Sequence, residues 1–217
     1  MNPNQYKKEK VYSKLKLDIL TQRLKAGQAI TEEEIGKRYD ISRTPVREIF
    51  RELEYDGLVI NVPYKGTYVS DLRLEDIIEI LEIRNSLESF AARCAAEKID
   101  AAGIIKFKLI EEQLENSLNN KDDVLALDAD TNLHELILEI AGNSRIQFII
   151  TNLLAQIHRI RYISSQFDGR NQTTCREHLD IIQAIIKKEP DSAEEKMKTH
   201  LEHTQRILLK SASVHKN

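Results

Sequence analysis

The chain has 217 residues, of which 41% are hydrophobic and 31% are charged, and its formal net charge is −3 at pH 7. This composition is sufficient for one or two domains with a buried core, and it excludes collagen-like, disulfide-scaffolded and low-complexity proteins. No apolar run reaches the ~18 residues of a membrane span, the polar start has no signal-peptide core, and the two cysteines lie far apart. We therefore expect a cytoplasmic protein with no membrane partner.

The charge is divided unevenly along the chain. Residues 1–71 carry 13 basic and 11 acidic side chains, whereas the remaining residues carry 19 and 24. Six of the glycines and prolines also lie close together between Gly27 and Gly66, as is typical of short elements and turns. These shifts predict a mildly basic domain at residues 1–71 with an anionic partner, followed by a second domain at residues 72–217.

The first domain is predicted to be a winged helix-turn-helix. Thr31 and Glu34 form a capping box, which is a clear signal for the start of a helix. Ser42 is a suitable N-cap for the next helix, which we expect to end at Gly57. The predicted elements are a helix at about 7–25, a helix that begins at Thr31, a helix of about 13 residues after Ser42, and two strands at 58–61 and 67–70 that form the wing.

The second domain is predicted to be entirely helical, so that the fold class is mainly α. Its segments are rich in Leu, Ile, Ala, Glu and Lys, with apolar residues at a helical period. Gly103, Gly142, Gly169 and Pro190 separate these segments. The pattern predicts a bundle of about six helices, at roughly 73–98, 102–119, 121–141, 144–166, 172–188 and 191–212.

Three arginines mark the third helix as the candidate DNA-reading element. Arg43, Arg47 and Arg51 are spaced four residues apart and therefore share one face. Stacked like charges cost a free helix roughly 0.2–0.5 kcal/mol per pair, which favours an external anion over a merely solvated face. The backbone N–H groups of Arg43 and Thr44 can bind a phosphate, and an arginine can bind guanine in the major groove. At the wing tip, Lys65 and Gly66 are candidates for contact with the DNA backbone.

Three histidines of the second domain are predicted to face a common core. Asp130 and His134 are four residues apart and share a helix face, while His178 and His200 each lie in register with apolar residues of their own helix. A single histidine in such a position is more often a core residue than a ligand. Three imidazoles with a nearby carboxylate, however, form a suitable ligand set for a first-row divalent metal.

Several motifs point to a known family. The string SRTPVRE at 42–48 is followed by L-E-x-D-G-L-V at 53–59 and by GTYV at 66–69. These motifs resemble the DNA-binding domain of GntR-family bacterial transcription regulators. The R-x-x-L-E motif that begins at Arg84 resembles the start of the FCD effector domain in the FadR branch, and six helices are similar to its VanR-type subgroup. One departure is the acidic stretch at 32–34, where some relatives carry a base-contacting arginine.

The resemblance also implies a metal and a ligand. Many FadR-branch effector domains hold a metal with D-x-x-[FL]-H, E-H-x-x-I-x-x-A-I and H-L motifs, which fall here at 130–134, 177–185 and 200–201. All four implied ligands, Asp130, His134, His178 and His200, are intact, and zinc is favoured over nickel or manganese. Arg84 is implied as a contact to an effector carboxylate, with a helix salt bridge to Glu88 as the alternative.

The leading hypothesis from the sequence is a ligand-responsive transcription regulator. The resemblance implies a repressor, because repression relieved by a ligand is usual in this family. A homodimer would bind a pseudo-palindromic double-stranded operator, and a small carboxylate at the metal would control that binding. The alternatives are a metal-dependent enzyme acting on a small carboxylate and a constitutive DNA-binding protein. Four protein ligands leave less room than the three of a typical catalytic zinc site, so we expect no enzyme activity.

Overall fold

The computed structural model describes residues 3–214, which form two compact units. The first unit contains the residues up to Arg73 together with residues 152–159. The second contains residues 74–151 together with the chain from Ile160 onward. No helix among residues 3–214 is both long enough and apolar enough to cross a bilayer.

The first unit is a three-helix domain with a small antiparallel sheet, which confirms the predicted winged helix-turn-helix. Its first helix ends earlier than predicted, because Gln22 adopts a left-handed φ of 56°. The elements are α1 (Pro3–Leu20), β1 (Ala29–Ile30), α2 (Glu32–Tyr39), α3 (Arg43–Tyr55), β2 (Val59–Val62) and β3 (Gly66–Val69). The sheet has the strand order β1-β3-β2, and β1 was not predicted.

Helix caps and the core decide which face of α3 is exposed. The Thr31 side chain accepts a hydrogen bond from the Glu34 N–H, as the capping box predicts. Ser42 is the N-cap of α3 by its extended backbone, but its side chain makes no capping hydrogen bond. The buried face of α3 consists of Val46, Ile49, Phe50 and Leu53, which are part of the core of this unit.

The second unit is helical, and each of its six helices begins and ends within two residues of the prediction. Asp100, Asp122 and Asn143 cap three of these helices with their side chains. The helices are α4 (Leu74–Lys98), α5 (Ala101–Asn120), α6 (Asp123–Ala141), α7 (Ser144–Ser165), α8 (Arg170–Ile186) and α9 (Pro190–Val214). Helix α4 packs against α6, α8 and α9, which brings distant parts of the chain together.

Candidate metal centre and nucleic-acid interface

The three predicted histidines lie together inside the second unit. His134 on α6, His178 on α8 and His200 on α9 are all buried, and one ring nitrogen of each lies within 4.8 Å of the other two. The Nε2 atoms of His178 and His200 are 3.3 Å apart. Two nitrogen ligands of a tetrahedral ion are separated by about the same distance, roughly 3.3 Å for bonds of ~2.0 Å. The spacing therefore fits two ligands of one ion.

Two carboxylates at the edge of the cluster orient two of the three imidazoles. His134 Nδ1 donates to Glu88 Oε2, and His200 Nδ1 donates to Glu177 Oε2 at 2.7 Å. The Nε2 atom of each ring is then left to face the cluster, and that of His134 has no hydrogen-bond partner among the described residues. Metal-binding histidines characteristically donate their second ring N–H to a carboxylate in this way. The donor set therefore fits a divalent metal.

Asp130 borders the triad but is already paired. Its Oδ1 lies 3.9 Å from His134 Nε2, and its Oδ2 lies 3.9 Å from His178 Nε2. The same Oδ1 is 2.6 Å from Arg161 Nε, an ion pair that lacks the directional geometry of a hydrogen bond. Asp130 is close enough to join the three histidines, and its role as a fourth ligand stays a prediction.

Burial keeps the imidazoles neutral. It lowers the pKa of His134 to about 4, of His178 to about 3 and of His200 to about 4. Burial acts in the opposite direction on Asp130, but the charge of the Arg161 guanidinium outweighs it and holds the pKa of that carboxyl well below its usual range. The cluster thus presents neutral nitrogen atoms and an ionised carboxylate, the protonation states that a metal requires.

Arg84 forms the predicted salt bridge and also lines a cavity. It is 1% exposed and binds Glu88 through two bonds, Nε to Oε1 at 2.7 Å and Nη2 to Oε2 at 3.3 Å. It also lines a cavity together with Asp130 and His200. The predicted salt bridge is therefore present, and contact with an effector stays a prediction.

Two further arginines line the same cavity. They are Arg161 on α7 and Arg170 on α8. One local signal does mark Arg170: it is the first residue of α8, where the helix dipole disfavours a positive charge. Its partner Glu177 lies two turns further along the same helix, with Arg170 Nη1 3.1 Å from Glu177 Oε2. Arg161, by contrast, pairs with Asp130 on α6, and a contact between two helices cannot be read from one segment.

The predicted DNA-binding residues lie on exposed parts of the first unit. Helix α3 exposes Arg43, Thr44, Arg47 and Arg51 on the side opposite its buried apolar residues. Lys65 and Gly66 are exposed at the turn between β2 and β3, where Gly66 has a φ of 106°. This φ favours glycine, because it is sterically costly for residues with a Cβ. The arrangement fits the predicted recognition helix and wing, whose contacts with DNA stay predictions.

The acidic stretch before α3 contacts the central arginine. Arg47 Nε lies 2.7 Å from Glu32 Oε1, and this hydrogen bond raises the pKa of Arg47. Glu33, the next residue, pairs with Lys37 instead. If Arg47 contacts DNA as predicted, Glu32 would compete with the DNA for its charge.

We expect the Glu32→Gln variant to bind random-sequence duplex DNA more tightly than the wild type, by about three- to tenfold. One more phosphate would be neutralised, so the slope of log Kd against log salt should steepen by about 0.9. Fluorescence anisotropy between 50 and 200 mM salt measures both quantities. Glu33→Gln removes the same charge and is the control; equal slopes in the two variants would contradict the competition.

The two units match two known family profiles. Residues 7–69 match the profile described as "Bacterial regulatory proteins, gntR family". Residues 79–203 match the FCD domain. The histidine cluster lies within the second match and α3 within the first.

Curated relatives match nearly the whole chain. It is 31% identical to the HTH-type transcriptional repressor RspR of Escherichia coli K12, over 93% of this chain and 89% of that protein. It is 30% identical to the HTH-type transcriptional regulator YdhC of Bacillus subtilis 168, over 88% of this chain and 86% of that one. Both similarities extend across the two units.

Solved structures support the same fold. E. coli McbR/YncC superposes with a TM-score of 0.78 at 16% identity, covering 95% of this chain and 98% of the other. A structure described as the metal-free FCD domain of TM0439 superposes with a TM-score of 0.58 at 22% identity, covering 67% of this chain and 99% of the other. At these identities the likeness concerns the fold alone.

Proposed function

We propose, for a chain that belongs to the GntR family of bacterial regulatory proteins and carries an FCD domain, that a small carboxylate at a metal site controls its binding to an operator. Membership confirms the family predicted from the motifs, and the chain is accordingly a DNA-binding transcription regulator. The VanR-like subgroup stays a prediction. In this proposal residues 1–71 bind DNA, and residues 72–217 bind the effector and form the homodimer.

One observation carries the proposal: three buried imidazoles, two of them oriented by carboxylates, converge beside a cavity that an arginine also lines. His134, His178, His200 and Asp130 would hold a divalent ion, with zinc favoured over nickel or manganese. The ion would supply positive charge and open coordination positions for a ligand oxygen. Arg84 would then bind the carboxylate of the effector through its guanidinium.

The control of DNA binding is a coupling between two sites. A dimer would place one α3 in each half of a pseudo-palindromic operator. Binding of the carboxylate would favour a spacing of the two DNA-binding domains that does not match the half-sites, so that repression is relieved. Couplings of this kind are worth about 1–3 kcal/mol, or roughly 5–150-fold in affinity.

A titration with small carboxylates tests this proposal. The DNA is a duplex selected by the wild-type protein from a random pool, and anisotropy measures its affinity with zinc-loaded and chelator-treated protein. We expect some carboxylates to weaken operator binding by 5–150-fold only when zinc is present. The uncharged amides of the same acids are the control.

The outcomes separate the competing functions. Operator affinity that no carboxylate changes would favour a constitutive DNA-binding protein. Chemical conversion of a carboxylate at a rate that follows zinc content would favour the metal-dependent enzyme.

A further inference from the structure

We infer that the effector is a small dicarboxylate, and that Arg161 and Arg170 bind its second carboxylate. This inference rests on the proposed function, which places the first carboxylate at the metal and Arg84. It adds a second anion subsite on another part of the cavity wall. Arg161 and Ser164 come from α7, Arg170 from the start of α8 and Thr204 from α9.

The buried charges of the site balance only before a metal binds. Among the described residues that line the cavity, the buried arginines are Arg84, Arg161 and Arg170, which are 1%, 7% and 4% exposed. Each is paired with one carboxylate: Glu88, Asp130 and Glu177, respectively. A divalent ion adds two positive charges, because imidazoles bind a metal in their neutral form. Unpaired buried charge is costly, so a ligand with two negative charges is favoured over one with a single charge.

The second subsite contains buried donors without partners. Arg170 donates from Nη2 to Thr204 Oγ1 at 2.8 Å and from Nη1 to Glu177, but its Nε has no hydrogen-bond partner among the described residues. Ser164 Oγ likewise has none, and it is 5% exposed. These groups line the same cavity as Arg161. Two guanidiniums and a hydroxyl form a donor set that matches the planar, bidentate geometry of a carboxylate.

Asp130 links the metal to this subsite. Its Oδ1 is the ion-pair partner of Arg161, and it is also the proposed fourth ligand of the metal. When its charge is directed toward a metal, Arg161 becomes available for another anion. The cavity has a volume of about 20 Å³, close to that needed for one water molecule, so this ion pair must open to admit a ligand.

The distance between the two subsites suits a short dicarboxylate. Arg161 Nε lies 2.6 Å from Asp130 Oδ1, which lies 3.9 Å from His134 Nε2, so at most about 6.5 Å separates the Arg161 Nε from that ring. Malonate, succinate and glutarate each hold their two carboxylates within such a distance of each other. A phosphate ion carries its charges on one centre and is the compact alternative.

Isothermal titration calorimetry of the zinc-loaded full chain tests the inference. The probes are malonate, succinate and glutarate, compared with propionate, butyrate and valerate of the same lengths and with inorganic phosphate. We expect at least one dicarboxylate to bind tenfold or more tightly than its matched monocarboxylate. Arg170→Gln should remove that advantage without changing the affinity for the monocarboxylate. Arg206→Gln, which changes an exposed arginine on α9, should change neither the dicarboxylate affinity nor the monocarboxylate affinity.

Equal binding of the two acid classes, binding of phosphate alone, or binding of no probe by zinc-loaded protein would overturn the inference. An advantage that survives Arg170→Gln would overturn it as well. Zinc content is measured on the same samples, so that failure of the proposed metal site is distinguished from failure of the second subsite. If Arg170→Gln does not fold, Arg170→Lys is the second variant. It retains the positive charge but lacks the planar guanidinium that binds a carboxylate through two hydrogen bonds. It should reduce the ratio of dicarboxylate to monocarboxylate affinity at least threefold.

Discussion

Replacing His134 with alanine is expected to remove the metal from the protein. The wild type should hold about one divalent ion per chain after dialysis against a moderate chelator, and the variant less than a tenth of that. His134 supplies one of three converging nitrogen atoms, and its loss also leaves Glu88 without the ring that it orients. Even residues that only orient a ligand typically affect metal affinity by 10–100-fold, so loss of a ligand should have a larger effect. Elemental analysis of purified protein measures the outcome.

His203→Ala is the matched control for this prediction. His203 also lies on α9 and contacts Glu177, with Nδ1 2.7 Å from Oε1, but it is not one of the three clustered histidines. This variant should retain the metal. In the wild type the chelator should also lower the melting temperature, because a ligand that binds only the folded state stabilises it. A wild type without metal, or equal metal content in the wild type and His134→Ala, would contradict the assignment.

Replacing Arg47 with alanine is expected to weaken operator binding much more than it weakens binding to random DNA. Arg47 is the central arginine of the exposed α3 face, and one bidentate contact to guanine is worth roughly 1–3 kcal/mol, or about 5–150-fold. Its side chain is 62% exposed, so the change should alter the free energy of unfolding by no more than about 0.5 kcal/mol. Anisotropy with the selected duplex and with a scrambled duplex measures the loss of specificity.

The control for Arg47→Ala is Arg206→Ala, which removes the same charge from an exposed position in the second unit. It should bind the selected duplex as the wild type does. Both variants should retain the wild-type metal content and melting temperature, which separates a local effect on DNA recognition from a loss of folding. Wild-type affinity in Arg47→Ala would count against α3 as the recognition helix.

The sequence predicted those features that depend on neighbouring residues. Helical periodicity located all six helices of the second unit, and the capping box at Thr31 located the start of α2. Local patterns failed where the outcome depended on distant partners. Strand β1 consists of two residues that pair only because β3 lies beside them, and Ser42 makes no side-chain cap although its residue type favours one.

The same distinction between local and distant interactions holds for the candidate site. Spacing and motif placed His134, His178 and His200 on the inner faces of three helices, because each helical register is a local property. Only the packing of α4, α6, α8 and α9 decided that their nitrogen atoms meet, that Glu88 and Glu177 orient the rings, and that Arg161 and Arg170 enter the same cavity. These partners are far apart along the chain or on different helices, and their contacts depend on how the helices pack rather than on any one segment of sequence.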